Sequence, residues 1–201
     1  MNLPNQITLG RFFIAVVFLI LLASFDYANR ARDLWRLDAA FVLFLIAAGT
    51  DWLDGYLARR HNQVTAFGRI LDPFVDKILI LGAFVLLLGR GFDDSRGANV
   101  LGLEGWMVVV IIARELLVSG LRGFSEAQGQ AYGANWWGKT KMVLQCVAIA
   151  WLIASIGRLQ EVEWVRAGRP LVIWITVLFT AASVGAYLAA SREALADRAR
   201  P

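Results

Sequence analysis

The sequence predicts an all-α, polytopic membrane protein with six transmembrane helices. Three observations lead there: an apolar composition, six long apolar stretches separated by polar segments, and aspartates recurring at helical spacing where two of those stretches approach one another. Of the 201 residues 58% are hydrophobic and 18% charged, whereas soluble domains carry a little under half apolar and about a quarter charged residues. The mean hydropathy of +0.58 agrees. The length suits one domain, residues 1–201. The net charge of +4 comes from 17 Arg and 3 Lys against 16 acids. These basic residues fall between the apolar stretches, so anionic headgroups or phosphates are the expected partners rather than nucleic acid. The single cysteine, Cys146, excludes an intrachain disulfide and a cysteine-based metal site, and its apolar surroundings predict a packed thiol.

A bilayer-crossing helix needs about 20 apolar residues, and candidates lie at 8–24, 39–58, 73–89, 105–121, 142–156 and 171–190. The first lacks a basic leader and a small-residue cleavage site, so it reads as a retained span rather than a signal peptide. Gly, Asp, Asn and Arg mark the intervening loops at 26–38, 59–71, 90–104, 123–141 and 157–170. The polar tail 191–201 is expected to prolong the last helix into water. Six spans put both termini on one side with the second and fourth loops. Most of the eight tryptophans, among them Trp52, Trp106, Trp136, Trp137 and Trp164, fall near span ends, as an interfacial belt does. His61, the only histidine, sits beside Arg60 in a loop and reads as solvated.

The aspartates are the anomaly. A carboxylate at membrane depth costs a few kcal/mol or more unless paired, hydrated or metal-bound. Asp51 and Asp54 are three apart at the end of the second stretch, and Asp72 and Asp76 four apart at the start of the third. Each pair therefore shares a helix face, and a short basic turn brings the faces together. Four carboxylates with Arg59 as counter-cation leave surplus negative charge, which oxygen-only ligands resolve with hard divalent cations. Two such ions form a known clamp for phosphoryl displacement. Asp72 before Pro73 also has the form of a helix cap with proline in the first turn. Gly68, Asp72 and Asp76 form one stripe, and the missing side chain at Gly68 admits a ligand or another helix.

Residues 51–76 read Asp-x-x-Asp-Gly-x-x-Ala-Arg, eight residues, Gly-x-x-x-Asp-x-x-x-Asp. This resembles in full the signature of the CDP-alcohol phosphatidyltransferase family, eight fixed positions at fixed spacing. The resemblance implies a six-helix CDP-alcohol phosphotransferase fold, usually a homodimer, with a site open to the cytosol and two divalent cations, Mg2+ or Mn2+. It implies that Asp51, Asp54, Asp72 and Asp76 are metal ligands and that Asp76 is also the catalytic general base. Asp54, Gly55, Ala58, Arg59 and Gly68 are implied for the CDP-lipid site, with Arg59 near the diphosphate.

Three further segments resemble the bacterial phosphatidylglycerophosphate synthase branch: Asn2-Leu3-Pro4-Asn5-x-x-Thr8-x-x-Arg11, Arg114-Glu115-x-x-x-Ser119-Gly120-Leu121-Arg122 and Gly138-Lys139-x-Lys141-x-x-x-Gln145. Two positions depart from it. Met142 stands where many relatives have threonine, and no proline occurs between Phe12 and Leu19. The branch implies transfer of a phosphatidyl group from CDP-diacylglycerol to glycerol 3-phosphate, in a bacterial inner membrane with site and termini facing the cytosol. The residues add a reason of their own for an anionic acceptor: Glu115, Ser119 and Arg122 share a helix face, and Arg114, Arg122, Lys139 and Lys141 gather charge suited to a phosphate. Basic residues at helix ends also snorkel to headgroups. Other acceptors within the family are inositol phosphate or, as in a cardiolipin synthase, phosphatidylglycerol. A cation transporter using the four acids is the reading from a different class, against which no internal repeat is visible.

Overall fold

A computed structural model describes the backbone of residues 3–61, 66–127 and 136–198, and the side chains of 8–50, 71–125, 127 and 136–185. Within these residues the chain is helical: α1 Leu3–Ala23, α2 Arg30–His61, α3 Ala66–Leu87, α4 Gly105–Ala127, α5 Trp136–Ile156, the short α6 Glu163–Ala167, and α7 Arg169–Arg198. The segments expected as spans all lie in long helices, but several boundaries differ. Helix α2 begins at Arg30 rather than 39. Its polar first turns are sustained by pairing, with buried Asp33 accepting from Arg32 (3.1 Å) and Arg36 (3.0 Å). Helix α3 begins at Ala66, which places Pro73 inside the helix and not in its first turn. Asp72 is therefore no N-cap; proline at an interior position removes one backbone hydrogen bond and is tolerated here well after the helix has started. Helix α5 likewise begins at Trp136, six residues before the expected span, and α7 runs through the tail as far as Arg198.

By length and composition, two described segments are able to cross a bilayer, Trp136–Ile156 and Glu163–Gly185. The pair Thr8–Ala23 and Tyr27–Thr50, bent by 80°, makes a third if taken as one span. Among the described residues there are thus six long helices, and two or three segments qualify as spans by length and composition. Charged residues within α3 (Asp72, Asp76, Lys77) and α4 (Arg114, Glu115, Arg122) interrupt their apolar windows.

Helix α1 packs on both α2 and α3, α7 on α4 and α5, and α5 also on α2 and α3. The buried stripe of α1 is Ala15, Phe18 and Leu22, at the three- and four-residue intervals of one helix face. Phe18 meets Phe44 of α2 with ring centroids 5.4 Å apart. Gly82 of α3 lets α1 approach closely, since a Cβ there meets Leu19 Cδ2 at 3.0 Å.

At the end of the bundle where α1, α3 and α5 stop, arginines cap backbone. Arg30 donates to Ile156 O (2.7 Å) and Gly157 O (2.8 Å) at the close of α5. Arg169 binds Ser155 Oγ (2.8 Å) and Val100 O (2.9 Å). Between α3 and α4, Asp94 accepts from the amides of Arg96 (2.8 Å) and Ala98 (3.0 Å), closing a tight loop. These contacts tie helix ends and loops together at this end of the bundle.

Candidate active site

The opposite end gathers the starts of α1, α3 and α5 with the ends of α2, α4 and α7. Because α3 is continuous from Ala66, Gly68, Asp72 and Asp76 lie one turn apart along it, as the sequence pattern requires. The side chains of Asp72 and Asp76 are 45% and 30% exposed, so both carboxylates remain accessible from outside the helix packing. Asp51, Asp54, Gly55, Ala58 and Arg59 occupy the last turns of α2, and Gly68 the first turn of α3. Their side-chain positions lie outside the described residues, so the approach of the two aspartate pairs does too. Among the described residues no group of three metal-ligating side chains assembles.

A residue to which sequence reasoning gave no role stands behind the α3 aspartates. Arg11 of α1 is 2% exposed. Its Nη2 lies 3.1 Å from Asp72 Oδ1 and its Nη1 3.8 Å from Asp76 Oδ1. Thr8, one turn earlier and also buried, donates from Oγ1 to the same Asp72 oxygen at 2.8 Å. A buried guanidinium is sustainable only with anionic partners, and these aspartates supply them. Arg59 is therefore not the sole counter-cation of the cluster. The available signal was Arg11 itself, a charge eight residues inside an apolar helix, continuing the buried face of Ala15, Phe18 and Leu22.

The basic group divides in two. Arg114 and Lys141 are buried and turned inward. Arg114 donates to Ser183 Oγ of α7 (2.8 Å) and to Glu115 Oε1 (3.2 Å), and Lys141 donates to the same Glu115 oxygen. This trio ties α4, α5 and α7 together and carries one net positive charge. Arg122 near the end of α4 and Lys139 in the first turn of α5 are exposed. The four basic residues thus form a buried pair neutralised in part by Glu115 and an exposed pair nearer the helix ends, rather than one phosphate cradle. The structure also shows His61 at the end of α2, and Cys146 half-buried in α5.

Among the described residues the donors offered on α3 are the carboxylates of Asp72 and Asp76, a chemistry that suits Mg2+ or Mn2+ rather than a softer metal. The half-exposure of Asp72 and Asp76, with their buried side already served by Arg11 and Thr8, fits ligands that present an edge outward.

Comparison with known proteins bears on this arrangement over nearly the whole chain. The sequence profile of the CDP-alcohol phosphatidyltransferase family matches residues 1–184. The CDP-diacylglycerol–glycerol-3-phosphate 3-phosphatidyltransferase of Bacillus subtilis (strain 168) is 38% identical over 200 residues, covering 96% of this chain and 97% of the relative. Proteins of the same name from Escherichia coli (strain K12) and Salmonella choleraesuis (strain SC-B67) are each 33% identical over 203 residues, covering 98% of both chains. With the aspartate signature running through α2 and α3, and a profile match over residues 1–184 that reaches into α7, the chain belongs to the CDP-alcohol phosphatidyltransferase family.

Proposed function

We propose that this protein transfers the phosphatidyl group of CDP-diacylglycerol to glycerol 3-phosphate, giving phosphatidylglycerophosphate and CMP. The observation that carries the chemistry is the α3 stripe, where Asp72 and Asp76 stand one turn apart with partly exposed carboxylates. The choice of acceptor rests on the full-length similarity to proteins named for that reaction. Family membership also favours an enzyme over a cation transporter.

In this reading Asp51, Asp54, Asp72 and Asp76 hold two divalent cations, Mg2+ or Mn2+, which supply electrostatic stabilisation of charge on the phosphoryl oxygens. Asp54, Gly55, Ala58, Arg59 and Gly68 form the CDP-lipid site, with the planar fork of Arg59 suited to the diphosphate. Asp76 takes the proton of the terminal hydroxyl of glycerol 3-phosphate. The oxygen so released bonds to the phosphorus bearing diacylglycerol, and the phosphoanhydride bond to CMP breaks. Arg122 and Lys139 meet the acceptor phosphate directly, while Arg114 and Lys141, anchored on Glu115, supply fixed positive charge behind them. The acyl chains stay in the bilayer. The protein works as a homodimer in a bacterial inner membrane, with the site and both termini toward the cytosol.

The test is CMP release by detergent-purified protein given CDP-diacylglycerol, Mg2+ or Mn2+, and one acceptor at a time. Release with glycerol 3-phosphate is expected. Release only with inositol phosphate or phosphatidylglycerol replaces the acceptor, and no release with any acceptor overturns the enzymatic reading.

A further inference from the structure

We propose that Arg11, together with Thr8, is the positioning device of the active-site aspartates on α3: the first helix sets the orientation in which Asp72 and Asp76 meet their cations. The inference rests on the two-metal reading above.

Three features carry it. The first is placement. Thr8 and Arg11 continue the buried stripe Ala15, Phe18, Leu22 of α1, where apolar side chains would otherwise pack against α3. A buried ion pair seldom stabilises a fold more than well-packed apolar residues of similar volume, so packing alone does not explain an arginine there. The second is convergence. Two donors from consecutive turns of α1 reach one oxygen, Asp72 Oδ1, at 2.8 and 3.1 Å, and the other arm of the same guanidinium lies 3.8 Å from Asp76 Oδ1. A rigid planar fork spanning two carboxylates one turn apart fixes their relative orientation in a way that a lysine point charge does not. The third is the contrast in exposure. The Arg11 side chain is 1% exposed, against 45% and 30% for the aspartates. The donors therefore approach from the buried side and leave the exposed side of the carboxylates to the cations and substrate. Groups that hold metal ligands in this way typically change metal affinity or activity by about 10- to 100-fold when removed.

The charge of Arg11 acts in the opposite sense, because a cation beside the site repels divalent ions. The two effects are separable. Loss of orientation weakens metal binding, whereas relief of repulsion tightens it. With both carboxylates half-exposed to screening solvent, orientation is the larger effect.

The experiment is Mn2+ titration of the detergent-purified protein, read by electron paramagnetic resonance of the free ion, for wild type, Thr8→Val, Arg11→Lys and Arg11→Met. Thermal unfolding is recorded alongside. Thr8→Val and Arg11→Lys are expected to bind Mn2+ about 10-fold more weakly, and Arg11→Met at least as weakly as Arg11→Lys. Glycerol 3-phosphate KM at saturating Mn2+ is expected to stay within about threefold of wild type while kcat falls, because the acceptor's phosphate is held elsewhere. Thr8→Val and Arg11→Lys decide the matter if Arg11→Met does not fold. Wild-type Mn2+ affinity in both overturns the proposal, whatever their unfolding temperatures, and so does tighter binding in Arg11→Met. A wild-type protein that binds no Mn2+ overturns the two-metal reading and this inference with it, whereas variants unchanged against a wild type that binds overturn this inference alone.

Discussion

Individual side chains divide into those that face chemistry and those that support it, and burial separates the two. Asp76 is 30% exposed beside a buried guanidinium, the placement a proton acceptor needs if the incoming hydroxyl is to reach it. Asp76→Asn is expected to abolish turnover, by a factor of at least about 100, while CDP-diacylglycerol binding measured by equilibrium dialysis stays within severalfold of wild type. Near-normal turnover would remove Asp76 from the role of base. The basic residues give a second contrast. Exposed Arg122 and Lys139 are expected to act on the acceptor, so Arg122→Ala should raise the glycerol 3-phosphate KM by about 10- to 100-fold, the range of one charged hydrogen bond. Lys141→Met instead leaves Glu115 buried with only Arg114 as ionic partner, so its main expected effect is lower thermal stability. A Lys141→Met protein as stable as wild type, with KM alone changed, would reverse that division. The sequence located the four basic residues but not their partition, because spacing along α4 and α5 does not reveal that Glu115 turns inward to bind two of them. It named the aspartates for the reason that makes them detectable anywhere, a charge set in an apolar helix. The same reasoning applied to Arg11 would have found it.

At the scale of elements, the helices were legible as apolar stretches, while their ends were not. The sequence pattern ended spans where apolar residues ran out, yet α2 starts nine residues before its expected span because Arg32 and Arg36 satisfy Asp33 and Arg36 also binds Ser24 O. Local ion pairing of this kind is invisible to a window of hydropathy. Helix α5 ends where Arg30, 126 residues away in sequence, takes over the carbonyl of Ile156 and that of Gly157, as cationic side chains do at helix C-termini. Removing both bonds in Arg30→Met is expected to cost about 1.5–3 kcal/mol, seen as a lower midpoint of thermal unfolding in detergent; a midpoint equal to wild type would show that water replaces the cap. The loop between α3 and α4 carries its own pH signature. The amides of Ala98 and Arg96 hold the Asp94 carboxyl below its ordinary value near 3.8. A depressed folded-state pKa contributes stability that is fully present above the unfolded value and is lost as pH falls through the folded one. Asp94→Asn is therefore expected to lower the unfolding midpoint at pH 7, with the gap from wild type closing below about pH 4. A gap that is the same at pH 7 and pH 3 would show that the loop does not depend on the carboxylate.

For the whole molecule, the decisive feature is that its two ends differ in kind. One end is closed by arginines bound to backbone carbonyls and by the Asp94 loop; the other presents Asp72, Asp76, Arg122 and Lys139. Thr8 bonds Asp72 across 64 residues of sequence, which puts the start of α1 at the aspartate end. Helix α7 starts at the arginine end, where Arg169 meets Val100 O, and runs away from it past Ser183, which receives Arg114. Both ends of the helical chain therefore lie toward the aspartates, the arrangement that an even number of crossings imposes. Hydropathy alone does not count six crossings, because the charges that build the site break the apolar windows of the helices bearing them. Connectivity of the bundle places both ends of the helical chain at one end, which fits an even number of crossings. If the substrates arrive from the cytosol, both termini face it and the Asp94 loop faces away. Exposed Ser95 gives a test of the whole arrangement. In a Cys146→Ser background, a membrane-impermeant maleimide is expected to label Ser95→Cys in spheroplasts, and to label a cysteine appended after Pro201 only once the membrane is opened. Labelling of both from the same side would mean an even number of crossings between them, and would break the link between the fold and a cytosolic active site.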